Sequence, residues 1–395
     1  MNPVTSQKRF YADRVEHVPQ SFIREILKVT NNPEIVSFAG GLPNPQLFPV
    51  DQLKEAAMRV FEKSAHQSLQ YAATEGLLSL REYISDRYKK RFNLHISPQQ
   101  ILITNGSQQA LDLIGKLFLN PGDKVLVERP SYLGALQCFS MFQTDFIEVT
   151  LEDDGVNIAE LEHALENKPV KLFYGIPNFQ NPTGISYSSE RRKEVADVLR
   201  KSGTVFIEDD PYGEISFGEG ILNPIYSHIP EQTILLGSFS KIIAPGLRLG
   251  WMVANPEIIK KAGILKQASD LHSGNLTQYI LNEFLQGVDL DCHVQLIRDK
   301  YRQQCSVMME AIHRYFPFAV QYTRPSGGMF CWITLPEWIT ARDLLERALK
   351  ENIIFVPGDP FYASGANWQT LRLNFSNVEE DAMKPALQKL GTLLI

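Results

Sequence analysis

The stretch Thr233-Ile234-Leu235-Leu236-Gly237-Ser238-Phe239-Ser240-Lys241-Ile242-Ile243-Ala244-Pro245-Gly246-Leu247-Arg248-Leu249-Gly250-Trp251 decides how the rest of the chain is read. The apolar run Thr233 to Gly237 predicts a buried strand, and Leu249 to Ala254 predicts a second. Between them one lysine stands among small hydroxyl residues, and an arginine follows beyond the Pro245-Gly246 turn. An ammonium loses its hydration between buried strands, so lysine is a costly choice there. One use offsets that cost. A desolvated lysine with a lowered pKa can form a Schiff base with an aldehyde. Ser238, Ser240 and Arg248 suit a phosphate group. An aldehyde with a phosphate suggests pyridoxal phosphate, if the rest of the chain supplies contacts to its ring.

Working outward, apolar strands and amphipathic helices alternate from Ser97 onward. Strands are expected at Ile101–Thr104, Lys124–Glu128, Asp145–Thr150, Val170–Ile176 and Thr204–Glu208, ahead of Thr233–Gly237. Helices are expected after Asn105-Gly106, at Tyr132–Phe142, Ile158–Leu165 and Ser189–Lys201. Continuous apolar strands alternating with helices predict an α/β fold, a mainly parallel sheet covered on both faces. After about residue 285 the alternation stops, and the pattern predicts a smaller α+β domain. There the expected elements are a helix over Asp289–Tyr315, strands at Ala319–Thr323, Gly328–Leu335, Ile353–Pro357 and Thr370–Ser376, and helices at Thr340–Glu351 and from Glu379. Before the alternation lie an arm (1–20), a short helix over Ser21–Thr30, a Gly- and Pro-rich segment around Gly40-Gly41, and helices over Val50–Ser64 and Leu77–Phe92. The expected division is therefore 1–48, 49–285 and 286–395.

The chain has 395 residues, 44% hydrophobic and 21% charged, the composition of a globular protein, with a formal net charge of −6. That charge argues against nucleic acid as the main partner. No apolar run reaches membrane-spanning length, and Met1 to Val15 lacks the apolar core of a signal peptide. Cys138, Cys292, Cys305 and Cys331 form no C-x-x-C pair, so a reduced, cytoplasmic chain with buried thiols is expected. The histidines form no close ligand pair, which argues against a metal site.

Three segments follow three predicted strands: Asn178-Phe179-Gln180-Asn181-Pro182-Thr183-Gly184, Glu208-Asp209-Asp210-Pro211-Tyr212-Gly213, and Ser238 to Lys241. Open α/β sheets bind ligands at such strand ends. In this order they resemble a fold-type-I pyridoxal-phosphate aminotransferase of class I/II, with a large domain built on a mainly parallel seven-stranded sheet and a smaller α+β domain. The chain is most similar to the branch of the 2-aminoadipate and kynurenine aminotransferases, from Ser37-Phe38-Ala39-Gly40-Gly41 to Leu371-Arg372-Leu373-Asn374-Phe375.

The resemblance implies pyridoxal 5'-phosphate held by Lys241 as Schiff-base lysine and later proton-moving base. It implies Asn181 and Tyr212 on the ring hydroxyl oxygen, and Asp209 rather than Glu208 or Asp210 on the ring nitrogen, which makes the ring an electron sink. Ser107, Gln108, Ser238, Ser240 and Arg248 would hold the phosphate, aided by a helix N-terminus, and Tyr132 would stack on the ring. Tyr71 would reach the phosphate of a neighbouring subunit, implying a homodimer with shared sites. Arg372 would grip the substrate α-carboxylate, alongside Asn181 and the main chain at Gly40. Arg24, on a helix over the site, would meet a distal carboxylate, with Phe22, Ile23, Leu42 and Phe361 as candidate pocket walls. The implied reaction is ping-pong transfer of an amino group from an L-amino acid, 2-aminoadipate-like, aromatic or long aliphatic, to 2-oxoglutarate. A β-lyase would use the same pocket without an amino acceptor. A regulator's effector domain would carry an added DNA-binding domain, for which the roughly forty residues before the resemblance leave no room.

Overall fold

A computed structural model describes residues 11–17, 34–218, 220 and 222–395. The helix expected over Ser21–Thr30, with Phe22, Ile23 and Arg24, lies outside the described residues.

Strands occur at Val36–Ser37 (β1), Ile101–Thr104 (β2), Lys124–Arg129 (β3), Asp145–Glu152 (β4), Gly155–Val156 (β5), Val170–Gly175 (β6), Val205–Asp209 (β7), Thr233–Ser238 (β8) and Gly250–Val253 (β9). Further on come Gln321–Tyr322 (β10), Phe330–Thr334 (β11), Ile353–Ile354 (β12), Val356–Pro357 (β13) and Thr370–Asn374 (β14). The large sheet runs β2-β9-β8-β7-β6-β3-β4-β5. It is the expected seven-stranded sheet with a two-residue edge strand, β5, hairpinned onto β4. β8, β7, β6, β3 and β4 are mutually parallel, and β9 runs antiparallel to both β8 and β2. Every residue of β2, β8 and β9 is buried, as expected of strands covered on both faces.

The helices begin where side chains can satisfy free N–H groups. Asn157, Ser188, Asp289 and Thr340 each accept from a first-turn amide of the helix that follows. Helices Pro256–Asp270 and Asn275–Gly287 fall where the sequence reading assigned no element. The first has a start signal: Asn255 caps Glu257 N, and Pro256 occupies the first turn; the second starts after Gly274 with no side-chain cap.

The second sheet, β10-β11-β14-β13, is antiparallel throughout. The strand expected over Ile353–Pro357 is split in two. Ile353–Ile354 pairs in parallel with Val36–Ser37, whereas Val356–Pro357 pairs with β14. The segment preceding residue 48 is thereby stitched to the C-terminal part of the chain. Cys138, Cys305 and Cys331 are buried free thiols, but Cys292 is exposed on helix Leu290–Tyr315, against the expectation of burial for all four. Among the described residues, no helix is long and apolar enough to cross a membrane.

In the large sheet the chain moves from β3 outward to β4, then returns past β3 to β6, β7 and β8. The order reverses between β3 and β6, which opens a crevice at the carboxyl ends of those strands. The segments after β3, β6, β7 and β8 all empty into it.

Candidate active site

The β8–β9 pair sets the geometry around Lys241. Ser238 pairs with Gly250, and the intervening loop carries the lysine out over the sheet end. Its Nζ donates to Gly41 O at 2.7 Å. Burial pushes this ammonium down to about 8, with repulsion from Arg372 and then Arg248 acting the same way.

An open cavity of about 270 Å³ lies beside Lys241. It gathers Ser107, Gln108, Tyr132, Asn181, Asp209, Tyr212, Ser238, Ser240, Arg248 and Arg372. These come from six separate stretches of sequence. Of the remaining expected residues, Gly40 is buried and does not line the cavity, whereas its neighbour Gly41 does. Tyr71 stands outside this chain's cavity, 78% exposed, its ring edge-on to His272 at 5.8 Å. Arg24 lies outside the described residues.

One end of the cavity is basic and rich in donors. Helix Ser107–Phe118 starts at Gly106, which offers no side chain to its free amides. Gly106 has φ +74°, and a Cβ there would meet Arg248 Nη2 at 2.7 Å, so glycine keeps the arginine close. Arg248 donates through Nη2 to Asn105 O at 3.1 Å. The Ser240 amide donates to Ser238 Oγ at 3.1 Å. Gln108 spends its side-chain amide on Gly134 O at 3.0 Å, which leaves its main chain at the cavity.

The floor is acidic. Asp209 Oδ2 accepts from Tyr174 Oη at 2.8 Å, while Oδ1 is buried without a partner. Burial pushes this carboxyl up to about 7; the Tyr174 bond opposes the rise, and Asp210 adds to it. The flanking acids are engaged elsewhere. Glu208 accepts from the amides of Ile225 and Tyr226, and Asp210 from Asn178 Nδ2 and the amide of Gly213. Tyr174 is a site residue that the sequence reading missed, because it reads as one more apolar position of β6.

The opposite end holds Arg372, 2% exposed on β14. Nη1 donates to Asn181 Oδ1 and Nη2 to Ala39 O, both at 2.7 Å. Its Nε is buried without a partner. The guanidinium lies 4.3 Å from the centroid of Phe330 and 5.2 Å from that of Phe361. Burial pushes it down to about 10, an unusual cost for an arginine. Phe361 is therefore fully buried support for this arginine rather than a free pocket wall. A strap over Phe38–Asn44 crosses both ends: Ala39 O meets Arg372, Gly41 O meets Lys241, Ser376 Oγ donates to Leu42 O and Asn44 N donates to Tyr301 Oη.

The donor set fits pyridoxal phosphate. The basic end suits a dianion, and the orphaned Asp209 oxygen suits a ring N–H. The depressed amine suits an aldehyde, and the half-satisfied guanidinium suits a carboxylate.

The family model described as Aminotransferase class I and II matches residues 38–390. An aromatic-amino-acid aminotransferase of Thermococcus litoralis is 39% identical, covering 98% of this chain and 95% of its own length. A 2-aminoadipate transaminase of Thermus thermophilus is 40% identical over 95% of this chain and 94% of its own. Among solved structures, a kynurenine aminotransferase of Pyrococcus horikoshii, in complex with PMP, superposes with TM-score 0.93 at 39% identity, covering 100% of this chain and 98% of its own. The chain belongs to the class I and II aminotransferases, with pyridoxal phosphate as its cofactor.

Proposed function

We propose that this aminotransferase takes aromatic and long aliphatic L-amino acids as donors and 2-oxoglutarate as acceptor. The carrying observation is the wall of the cavity. Among its described lining residues the cations are Lys241, Arg248 and Arg372, and each has a task near the cofactor or the α-carboxylate. Apart from the residues assigned to the cofactor and the α-carboxylate, that wall includes Ile176 and Gly41, which suit an apolar side chain. A second substrate carboxylate, as in 2-aminoadipate, would fall to Arg24. The similar proteins from Thermococcus litoralis and Thermus thermophilus are named for aromatic amino acids and for 2-aminoadipate.

When bound, pyridoxal phosphate supplies an electrophilic carbon and an electron sink. Each protein group has a distinct part. Asp209 Oδ1 would hold a proton on the ring nitrogen. Asn181 and Tyr212 would donate to the ring oxygen, and Tyr132 would cover the ring face. Ser107, the Gln108 amide, Ser238, Ser240 and Arg248 would hold the phosphate. Arg372 binds the substrate carboxylate and turns the Cα–H toward Lys241, whose neutral amine moves the proton. The segment 49–285 thus carries the cofactor and 286–395 carries Arg372, while within 1–48 the strap over Phe38–Asn44 crosses both. Tyr71 completes the phosphate site of a second copy in a homodimer. Its exposure supports this, as does that of the neighbouring Leu69 and of Leu271. A reduced cytoplasmic setting suits the four free thiols.

A panel of L-amino acids with 2-oxoglutarate, read by glutamate release, tests the substrate reading. Phenylalanine, tyrosine, kynurenine and leucine should exceed aspartate by roughly tenfold or more in kcat/KM. A preference for aspartate would refute it.

A further inference from the structure

A carboxylate that the reaction does not use sits at the crevice between β3 and β6. Glu128, fully buried near the end of β3, receives three donors. Ile176 N and Tyr187 Oη donate to Oε1 at 3.1 and 2.7 Å. Gln180 Nε2 donates to Oε2 at 2.9 Å. Burial pushes this acid up to about 7 against all three of those bonds. Leaving a carboxyl here is expensive, and packing alone would favour an apolar residue.

What the carboxylate does is orient Gln180. Both hydrogens of that amide are committed, one to Glu128 and one to Pro130 O at 2.8 Å. Its oxygen is thereby turned toward Thr183, accepting from the amide at 2.9 Å and from Oγ1 at 2.7 Å. A flipped amide would set oxygen against two acceptors and NH₂ against two donors. From Gln180 two chains of contact lead to the same guanidinium. The Asn181–Gly184 turn carries Asn181, which accepts from Arg372. Gly184, at φ +74°, brings that turn against β11; a Cβ there would meet Phe330 O at 2.4 Å. On the other side Pro130 leads to Ser131, whose amide donates to Phe361 O at 2.8 Å, and the Phe361 ring lies under Arg372.

We propose that Glu128 is a positioning residue for substrate carboxylate binding: acting through Gln180, it fixes both the Asn181 turn and the Phe361 support that aim Arg372. The proposal rests on Arg372 as the carboxylate site. Glu128→Gln keeps shape and tests it sharply. The new amide can keep its oxygen toward Ile176 N and Tyr187 Oη only by setting its NH₂ against that of Gln180. Gln180 then flips or loses its bond, and Thr183 is released. Gln180→Glu opposes two carboxylates. The swapped pair Glu128→Gln/Gln180→Glu restores donor to acceptor and still accepts from Thr183, with Pro130 O alone losing its donor.

The experiment measures KM and kcat in the holoenzyme, cofactor affinity, and the Kd of 3-phenylpropanoate, a carboxylate without an amine. Glu128→Gln should raise that Kd, and KM for amino acid and oxo acid alike, roughly tenfold, with cofactor affinity within about twofold. The swapped pair should recover at least about threefold of this. Unchanged Kd in Glu128→Gln, or a swapped pair no better than the product of the singles, overturns the proposal. If Glu128→Gln does not fold, Thr183→Val cuts the far end of the same chain. It should raise the Kd by about threefold, and an unchanged Kd there overturns the proposal. Arg372→Leu in the same titration separates the two readings. If it fails to weaken binding, the assignment of Arg372 falls. If it weakens binding and Glu128→Gln does not, only the role of Glu128 falls.

Discussion

The two ends of the cavity are built on opposite plans. The proposed phosphate end is wet and drawn from two short stretches: Ser238 to Arg248, at the end of β8 and in the loop after it, and Ser107-Gln108 at a helix start, with Arg248 exposed. The carboxylate end is assembled from afar and dry. Arg372 reaches Asn181 and Ala39 across separations of 191 and 333 residues, at 2% exposure. A loop with a free helix end can hold a doubly charged group while water shares the load. A monoanion that comes and goes at every turnover needs a stronger, directional grip, and low dielectric provides one. That grip has to be held rigid from outside, by the strap, by two phenylalanines and by the Asn181 turn. Lys241 sits where the two plans meet, with its amine bonded to the strap and repelled by an arginine at either end.

The contrast can be broken most strongly at that junction. Lys241→Ala should lower transamination by roughly 10⁴-fold, as expected when a nucleophile and proton carrier are lost together. A variant that still turns over within about tenfold of the parent would undo the assignment. At the dry end, Arg372→Leu should cost roughly 10²–10³-fold in kcat/KM for both substrates, while cofactor affinity stays within about twofold. At the wet end the pattern should invert. Arg248→Ala should weaken cofactor binding by about tenfold, with the Kd of 3-phenylpropanoate unchanged. Equal losses in both assays for either arginine would mean that the ends are not separable.

The smallest effect concerns pH and the protein without cofactor. Asp209, Glu128 and Glu208 are each raised by burial to about 7 from ordinary carboxyl values. A group that holds its proton more tightly when folded stabilises the fold when protonated. That contribution is present below the unfolded pKa and is lost as pH rises to about 7. The cofactor-free protein should therefore lose unfolding temperature between about pH 4 and 7 through these groups. Asp209→Asn, which removes one of them, should be more stable than the parent at pH 8 and bind cofactor less well. A less stable Asp209→Asn protein would show that the carboxylate is paid for by contacts other than the cofactor.

How much of this was legible follows the same division. The wet end could be read from residues that are neighbours in sequence: a lysine between two buried strands, with serines and an arginine, has few other uses. The dry end could not be read from spacing, since nothing in Leu371-Arg372-Leu373 says what the arginine faces, and only the family resemblance pointed there. Glu128 and Tyr174 were invisible for a further reason. Glu128 lies near the end of an apolar strand, where a solvated surface residue looks the same, and Tyr174 reads as one more apolar position of its strand. Their roles appear only when β3 and β6 are paired in register, with Val127 opposite Tyr174. The break within Ile353–Pro357 was hidden likewise, because an apolar run does not say which sheet it will join. The Asn-Pro-Glu start of helix Pro256–Asp270 is readable in the sequence, whereas helix Asn275–Gly287 starts after Gly274 with no capping side chain.

The central claim is that Lys241 anchors the cofactor at the meeting point of these two ends. The most direct measurement is borohydride reduction of the holoenzyme followed by peptide mass mapping. The account predicts one phosphopyridoxyl group per chain, on the peptide containing Lys241, and none in Lys241→Ala. Attachment at another lysine, or undiminished labelling in that variant, would contradict it.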